Sequence, residues 1–305
     1  MGKMKVMHLR DDSEGPVLVE GRAPMPVPGE GELLIRVLAA GITTTELGWY
    51  PTTHTKSGET RKGAVPTHEF SGVIADGPEK GHPVFGMNDW YAEGALAEYC
   101  TAPVASVAAK PQRLTHEEAA SVPIGALTAW QGLYDRAKLR AGERVLVHGG
   151  SGAVGVFAIQ LARLRGAHVI ATASARHLDF VRALGAEESV DYRGTPYKDK
   201  VDVVFDTVGG ETLARSWSLL GEGGRMVTIV SGAEDSAEAR EREAFFIVEP
   251  NRKQLTEVAE LLQGGQLTPV VDTVIPLSWA AEAYTGQLTR SGRGRVVVAI
   301  EKSER

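Results

Sequence analysis

Apolar positions along the chain follow two different textures. In the first third they form short runs of β-forming residues between turn clusters. Residues 33–39 follow Pro26-Val27-Pro28-Gly29-Glu30-Gly31, and residues 70–75 and 95–101 are similar runs bounded by Gly and Pro. Residues 51–63 between them are polar, with Thr, Ser, Gly, Lys and His, and predict a solvated loop. From about residue 143 the pattern becomes regular. Residues 144–148, 168–173, 201–206 and 225–230 read as buried strands, and helical periodicity covers 154–165, 178–184 and roughly 212–220. Strands alternating with helices of this length predict parallel pairing through right-handed crossovers. An amphipathic helix over 251–263 is expected to end at Gly264-Gly265, followed by a strand at 270–275, a helix from Ser278 and a strand at 295–300.

Composition narrows the class. With 305 residues the chain is long enough for two domains of about 150 residues each, and needs no disulfide or structural metal to bury a core. The single cysteine, Cys100, excludes an intramolecular disulfide and any zinc site built on several thiolates, and suits a reducing compartment. A net charge of −6 argues against a nucleic-acid partner. No apolar run approaches the roughly 18 residues of a membrane span, and residues 1–15 lack the apolar core of a signal peptide. The expectation is a cytoplasmic protein with neither nucleic-acid nor membrane partners.

Glycine marks the chemistry. Gly150-Ser151-Gly152-Ala153-Val154-Gly155 is a G-x-G-x-x-G that follows a strand, opens a helix and lies within a βαβ unit. Glycine serves the tight turn, the approach of backbone to a pyrophosphate and the packing of helix on strand. The helix N-terminus then offers N–H groups and a positive dipole end to the phosphates. The end of the second strand selects the dinucleotide. An NAD site places Asp or Glu about 20 residues past the glycines. Here the chain reads Ile170-Ala171-Thr172-Ala173-Ser174-Ala175-Arg176-His177, with no acid before Asp179. Ser174 and Arg176 suit a 2′-phosphate, which favours NADP(H).

The chain resembles the medium-chain dehydrogenase/reductase superfamily, in its zinc-independent quinone oxidoreductase branch, over nearly its whole length. Residues 28–37 with Ala39-Ala40-Gly41-Ile42 are similar to the N-terminal strand signature, and Ala126-Leu127-Thr128-Ala129-Trp130 to the segment leading into the cofactor domain. Residues 145–161 resemble the nucleotide motif, 202–210 the fourth-strand motif ending in Asp-x-x-Gly, and Gly294-Arg295-Val296-Val297-Val298 the closing strand. The resemblance implies an α/β protein: a GroES-like, β-rich catalytic domain over 1–123 and 268–305, and a Rossmann domain with a doubly wound parallel sheet over 124–267. It implies a cofactor in the cleft between them, with further contacts at Thr128, Tyr192, Val208, Val230 and Ser231, and assembly as a homodimer or homotetramer.

Zinc enzymes of the superfamily bind their catalytic metal through Cys, His and Cys. The matching positions here are Thr43, His68 (in Pro66-Thr67-His68-Glu69) and the region of Ile124. A catalytic zinc needs three protein ligands and an open position, which this set does not supply. No metal is therefore expected, and His68-Glu69 reads as a remnant of a zinc site or a repurposed polar pair.

Hydride addition to a plain ketone builds full charge on one oxygen, whereas conjugate addition to an enone or quinone spreads it. Without a metal, the first case demands a strong donor and a proton relay, whereas a few hydroxyl donors and good positioning suffice for the second. Candidate donors are Thr45, Tyr50 and His68. Thr45 matches the hydroxyl relay of the zinc enzymes and equally suits a helix cap; Tyr50, beside Trp49, suits either stacking on a flat substrate or the core, and Trp90-Tyr91 shares that ambiguity. Ser13, Ser231 and Cys100 form no triad with a histidine, and no G-x-S-x-G occurs. The resulting expectation is an NADPH-dependent, zinc-independent reductase of quinones or α,β-unsaturated carbonyls. The alternatives are a metal-free alcohol or carbonyl oxidoreductase and a non-catalytic NADPH-binding redox sensor.

Overall fold

A computed structural model describes residues 2–12 and 15–300; Ser13 and residues 301–305 of the expected catalytic segment lie outside them. The chain divides into two compact units, Met1–Ile124 with Pro250–Gly265 and Pro269–Arg305, and Gly125–Glu249 with Gln266–Thr268. The first opens with an antiparallel hairpin, β1 (Lys3–Asp12) and β2 (Gly15–Pro24). Met4, Val6, Met7 and Leu9 of β1 are buried, while Lys3 and Arg10 stay exposed. Adjacent burial of Val6 and Met7 breaks the two-residue alternation that would have announced the strand. The expected runs become β3 (Glu32–Ile42), β4 (Glu69–Ile74) and β6 (Tyr99–Pro103), with β5 (Pro83–Met87) and β7 (Val107–Ala109) beside them. The polar loop contains one short helix, α1 (Tyr50–Thr53). Helix α2 (His116–Ala120) starts at a capping box in which Thr115 Oγ1 accepts the Glu118 amide and Glu118 accepts the Thr115 amide.

The second unit begins within α3 (Pro123–Trp130). It then alternates β8 (Arg144–Val147), α4 (Gly155–Leu164), β9 (His168–Ala173), α5 (Leu178–Leu184), β10 (Glu188–Asp191), β11 (Val201–Asp206), α6 (Gly210–Ser216), β12 (Leu220–Thr228) and α7 (Ala239–Ala244). The five strands form one parallel sheet ordered β10-β9-β8-β11-β12. Strands of such a sheet carry continuous apolar runs because both faces are covered. Val145, Leu146, Val147, Val169, Ile170, Val203, Val204 and Phe205 accordingly have no exposed surface. The order reverses beside β8, whose carboxyl end carries the glycine turn; that is where open α/β sheets bind ligands.

The chain returns to the first unit at α8 (Arg252–Gln263), then β13 (Val271–Pro276), α9 (Ala280–Thr285) and β14 (Arg295–Ala299). The expected Rossmann boundary at 267 encloses α8; in the structure the helix groups with the first unit, where it packs on β7. Its amphipathic pattern shows that one face is buried but not what buries it. The helix is capped by Asn251 Oδ1 on the Gln254 amide, and the left-handed residue after it is Gly265 (φ 71°), not Gly264. A seven-stranded sheet orders β13-β14-β3-β4-β5-β7, with β6 also paired to β3.

Phe205 tests the core of the second unit. A Cβ on Gly132 would lie 2.2 Å from the Phe205 ring, so helix and strand are already at closest approach. Phe205→Ala is expected to cost about 3–5 kcal/mol, read as a lower urea midpoint for unfolding; a loss below about 1 kcal/mol would show that the site collapses freely.

Candidate functional sites in the two units

At the end of β8 the backbone is pinned from several directions. His148 O accepts Thr207 Oγ1 (2.8 Å), Gly149 N donates to Thr172 Oγ1 (3.3 Å), Gly150 N to Thr172 O (2.9 Å) and Gly152 N to Gly149 O (2.9 Å). Gly149 is left-handed (φ 73°), and a Cβ there would strike Thr207 Oγ1 at 2.3 Å. A Cβ on Gly155 would lie 2.2 Å from Gly149 O, so α4 meets the turn backbone to backbone. Val154 before α4 gives no side-chain cap, and the Val156 and Phe157 amides are taken by Gly152 O and Val154 O (3.1 Å each), so the glycine turn is tied to the first turn of the helix. These features fit a dinucleotide pyrophosphate.

Several expected cofactor residues gather around this turn. Ser151 Oγ lies 3.2 Å from His177 Nδ1, which ties the turn to the segment carrying Ser174 and Arg176. Arg176 is exposed and makes no ion pair among the described residues. The Tyr192 amide donates to Ala173 O (3.2 Å), so its exposed ring follows the end of β9. Val208 is exposed, and its Cγ2 is 3.3 Å from the Cβ position of Gly149; Val230 packs against Gly209. Ser231 is exposed just past β12, and Thr128 is buried in α3. The Asp-x-x-Gly motif has a mechanical role: buried Asp206 accepts the amides of Val208 (3.1 Å) and Gly209 (3.0 Å) and the Thr228 hydroxyl (2.9 Å).

In the first unit the expected donors separate. Thr45 is exposed and precedes a short 3-10 turn without capping it through its side chain. Tyr50 is 54% exposed and stacks on His54, with ring centroids 4.5 Å apart. His68 is 1% exposed, edge-on to Trp90, which in turn packs edge-on against Trp49. Burial, aided by the Arg61 charge, lowers the His68 pKa to about 4, so its ring is neutral at physiological pH.

Sequence reading singled out Glu69 beside His68 but missed buried Glu46 and the pairing of Glu69 with Arg295. Glu46 accepts the Thr67 amide and hydroxyl (3.1 Å each), the Thr43 amide (3.2 Å) and the Tyr284 hydroxyl. Glu69 accepts the Ile124 amide (2.8 Å) and pairs with Arg295 Nε at 2.7 Å. Burial pushes both carboxyls up to about 7, against those hydrogen bonds and the pull of Arg295. The available signal was Arg295 itself, a charge opening the apolar run Val296-Val297-Val298.

The donors do not fit zinc. Thr43 Oγ1, at the first ligand position, accepts Arg295 Nη1 at 2.7 Å, which puts a guanidinium where a dication would have to sit. Ile124 offers no donor side chain, and among the described residues no three His, Cys, Asp or Glu converge on a metal position.

A parallel sheet with a glycine turn at its switch point defines a Rossmann-type dinucleotide-binding fold. The profile of the family described as zinc-binding dehydrogenase matches residues 184–298. A probable zinc-binding oxidoreductase, mitochondrial, of Arthroderma benhamiae is 34% identical, covering 91% of each chain. A 2-methylene-furan-3-one reductase of Solanum lycopersicum is 30% identical, covering 97% of this chain and 79% of its own. The structure of a quinone oxidoreductase from Coxiella burnetii superposes with a TM-score of 0.86 at 27% identity, over 98% of this chain and 100% of that one. The chain belongs to the medium-chain dehydrogenase/reductase superfamily, in its quinone oxidoreductase-like branch.

The His68 shift predicts a stability change. The unfolded ring binds a proton near pH 6.5 and the folded one near pH 4, so the folded state loses stability as pH falls through that interval, by on the order of 3 kcal/mol. The two carboxyls, raised from 4.5 to about 7, act with the opposite slope: their contribution is full below about 4.5 and is lost as pH rises to about 7. His68→Gln removes only the first effect. Thermal unfolding from pH 6.5 to 4 should therefore fall less steeply in the variant than in the wild type; parallel curves would mean that the ring titrates normally.

Proposed function

We propose that the protein is an NADPH-dependent reductase that transfers hydride, without zinc, to quinones or α,β-unsaturated carbonyls. The observation that carries this reading is the end of β9, where Ser174 and the unpaired, exposed Arg176 replace an acid and stand one hydrogen bond from the glycine turn. A carboxylate there would repel a 2′-phosphate; a guanidinium pairs with it through two donors. The names of the tomato and Coxiella relatives agree with the substrate class. Assembly as a homodimer or homotetramer, and a cytoplasmic location, belong to the same proposal. No helix among the described residues is long and apolar enough to cross a membrane.

The bound dinucleotide supplies the hydride. The glycine turn would hold its pyrophosphate, and Ser174 and Arg176 would hold its 2′-phosphate. Thr45 and Tyr50 are exposed in the first unit, and we assign donation to the acceptor oxygen to one of their hydroxyls. His68 is closed in behind Trp90 and neutral, so it braces the aromatic wall instead of delivering a proton. An acceptor that spreads its developing charge needs little more than this from the protein.

Steady-state assays with quinones, enones and aldehydes test the reading. Arg176→Ala should raise KM for NADPH about tenfold or more and leave that for NADH nearly unchanged, while chelator leaves the rate intact. Equal losses for both cofactors would remove the role of Arg176, and chelator-sensitive turnover would sink the metal-free mechanism.

A further inference from the structure

Beneath the glycine turn lies a buried chain of side chains whose hydrogen-bond direction can be worked out from its ends. Gly149 N–H, a donor only, meets Thr172 Oγ1 at 3.3 Å. Thr172 Oγ1 lies 3.1 Å from His148 Nδ1, and His148 Nε2 lies 2.8 Å from Ser216 Oγ. Ser216 Oγ donates to Thr212 O, an acceptor only, at 2.6 Å. The Ser216 proton is thus committed to Thr212, and Ser216 can only accept from the imidazole. His148 must carry its proton on Nε2. Its Nδ1 is then an acceptor, which takes the Thr172 proton and leaves a Thr172 lone pair for the Gly149 amide. One arrangement satisfies every member, and it requires a neutral ring. His148, Thr172 and Ser216 are each more than nine-tenths buried, and burial lowers the His148 pKa against the pull of Asp206.

This chain controls the turn. The peptide joining His148 to Gly149 is held at both ends, its carbonyl by Thr207 and its amide by Thr172. Its orientation sets the left-handed Gly149, whose carbonyl binds Gly152 N and sits against Gly155. A slack Thr172 hydroxyl would free that peptide to rotate and spoil the concavity the pyrophosphate enters. We infer that His148 is a positioning residue for the dinucleotide: as a neutral Nε2–H imidazole it carries hydrogen-bond direction from α6 through Thr172 to the Gly149 amide and fixes the phosphate-binding turn. The inference rests on the proposed use of that turn for NADPH.

The test combines affinity with spectroscopy on the full chain. NADPH dissociation constants come from fluorescence titration, and kcat from turnover of 1,4-naphthoquinone. His148→Phe, which leaves the Thr172 hydroxyl without its acceptor, and Thr172→Val, which leaves the Gly149 amide unpaired, should each weaken NADPH binding about tenfold, with kcat within twofold of wild type. The double variant should be no weaker than either single one, because both cut the same chain, and Thr172→Ser should restore wild-type affinity. Ser216→Ala, at the far end, should weaken binding in the same direction. Nitrogen-15 spectra of labelled histidine should show a bare Nδ1 and a protonated Nε2 for His148. Wild-type affinity in the single variants, additive losses, or a proton on Nδ1 would each overturn the positioning role. Should His148→Phe fail to fold, Thr172→Val, Thr172→Ser and the spectra decide. A wild-type protein that binds neither NADPH nor NADH overturns the cofactor reading and this inference together, an outcome distinguishable because it appears before any substitution.

Discussion

The contact on which the cofactor half of the molecule depends is between two stretches of backbone, Gly149 O against Gly155, with no room for a Cβ between them. It brings the N-terminus of α4 directly against the turn at the end of β8. It also explains why this corner is glycine-rich. Gly149 needs a left-handed backbone, and Gly155 needs the missing side chain. Everything beneath is bracing: Thr207 and Thr172 fix the carbonyl and the amide of the His148–Gly149 peptide, and Asp206 holds the neighbouring turn and ties it to Thr228. The buried β8–β9–β11 core supplies the rigid floor that makes such bracing effective.

In the first unit the controlling constraint is charge. Arg295 is buried with Glu69, within reach of Glu46 and bonded to Thr43 and Ile42 O. One guanidinium cannot neutralise two buried carboxylates, and burial raises both carboxyls toward neutrality accordingly. The guanidinium fixed against Thr43 also makes that position unfavourable for a second cation. Loss of thiolates and placement of Arg295 therefore point the same way.

Legibility in the sequence followed the periodicity. The strands at 168–173 and 201–206 and the helix at 178–184 match the observed elements residue for residue, since each is a single apolar or amphipathic run bounded by turn residues. The glycine turn was legible for the same reason: strand, turn and helix are contiguous. β10 escaped because Glu-Ser-Val-Asp on a sheet edge is half-buried and polar, and β1 because burial of neighbouring Val6 and Met7 hides its alternation. Residues whose roles come from distant partners were the least visible. Glu46 and Tyr284 are 238 positions apart, and His148 and Ser216 are 68 apart; no local pattern records either pairing.

The two buried polar clusters also differ in kind. The His148 chain alternates donor and acceptor without a gap and has one satisfied protonation state, so it specifies a single geometry. The first-unit cluster leaves His68 Nδ1, Asn88 Oδ1 and Arg295 Nη2 without hydrogen-bond partners, and holds two carboxyls that titrate near neutrality. A turn that binds one invariant dinucleotide gains from a network with a single solution. In the second unit that geometry is set by Thr172, His148 and the glycines.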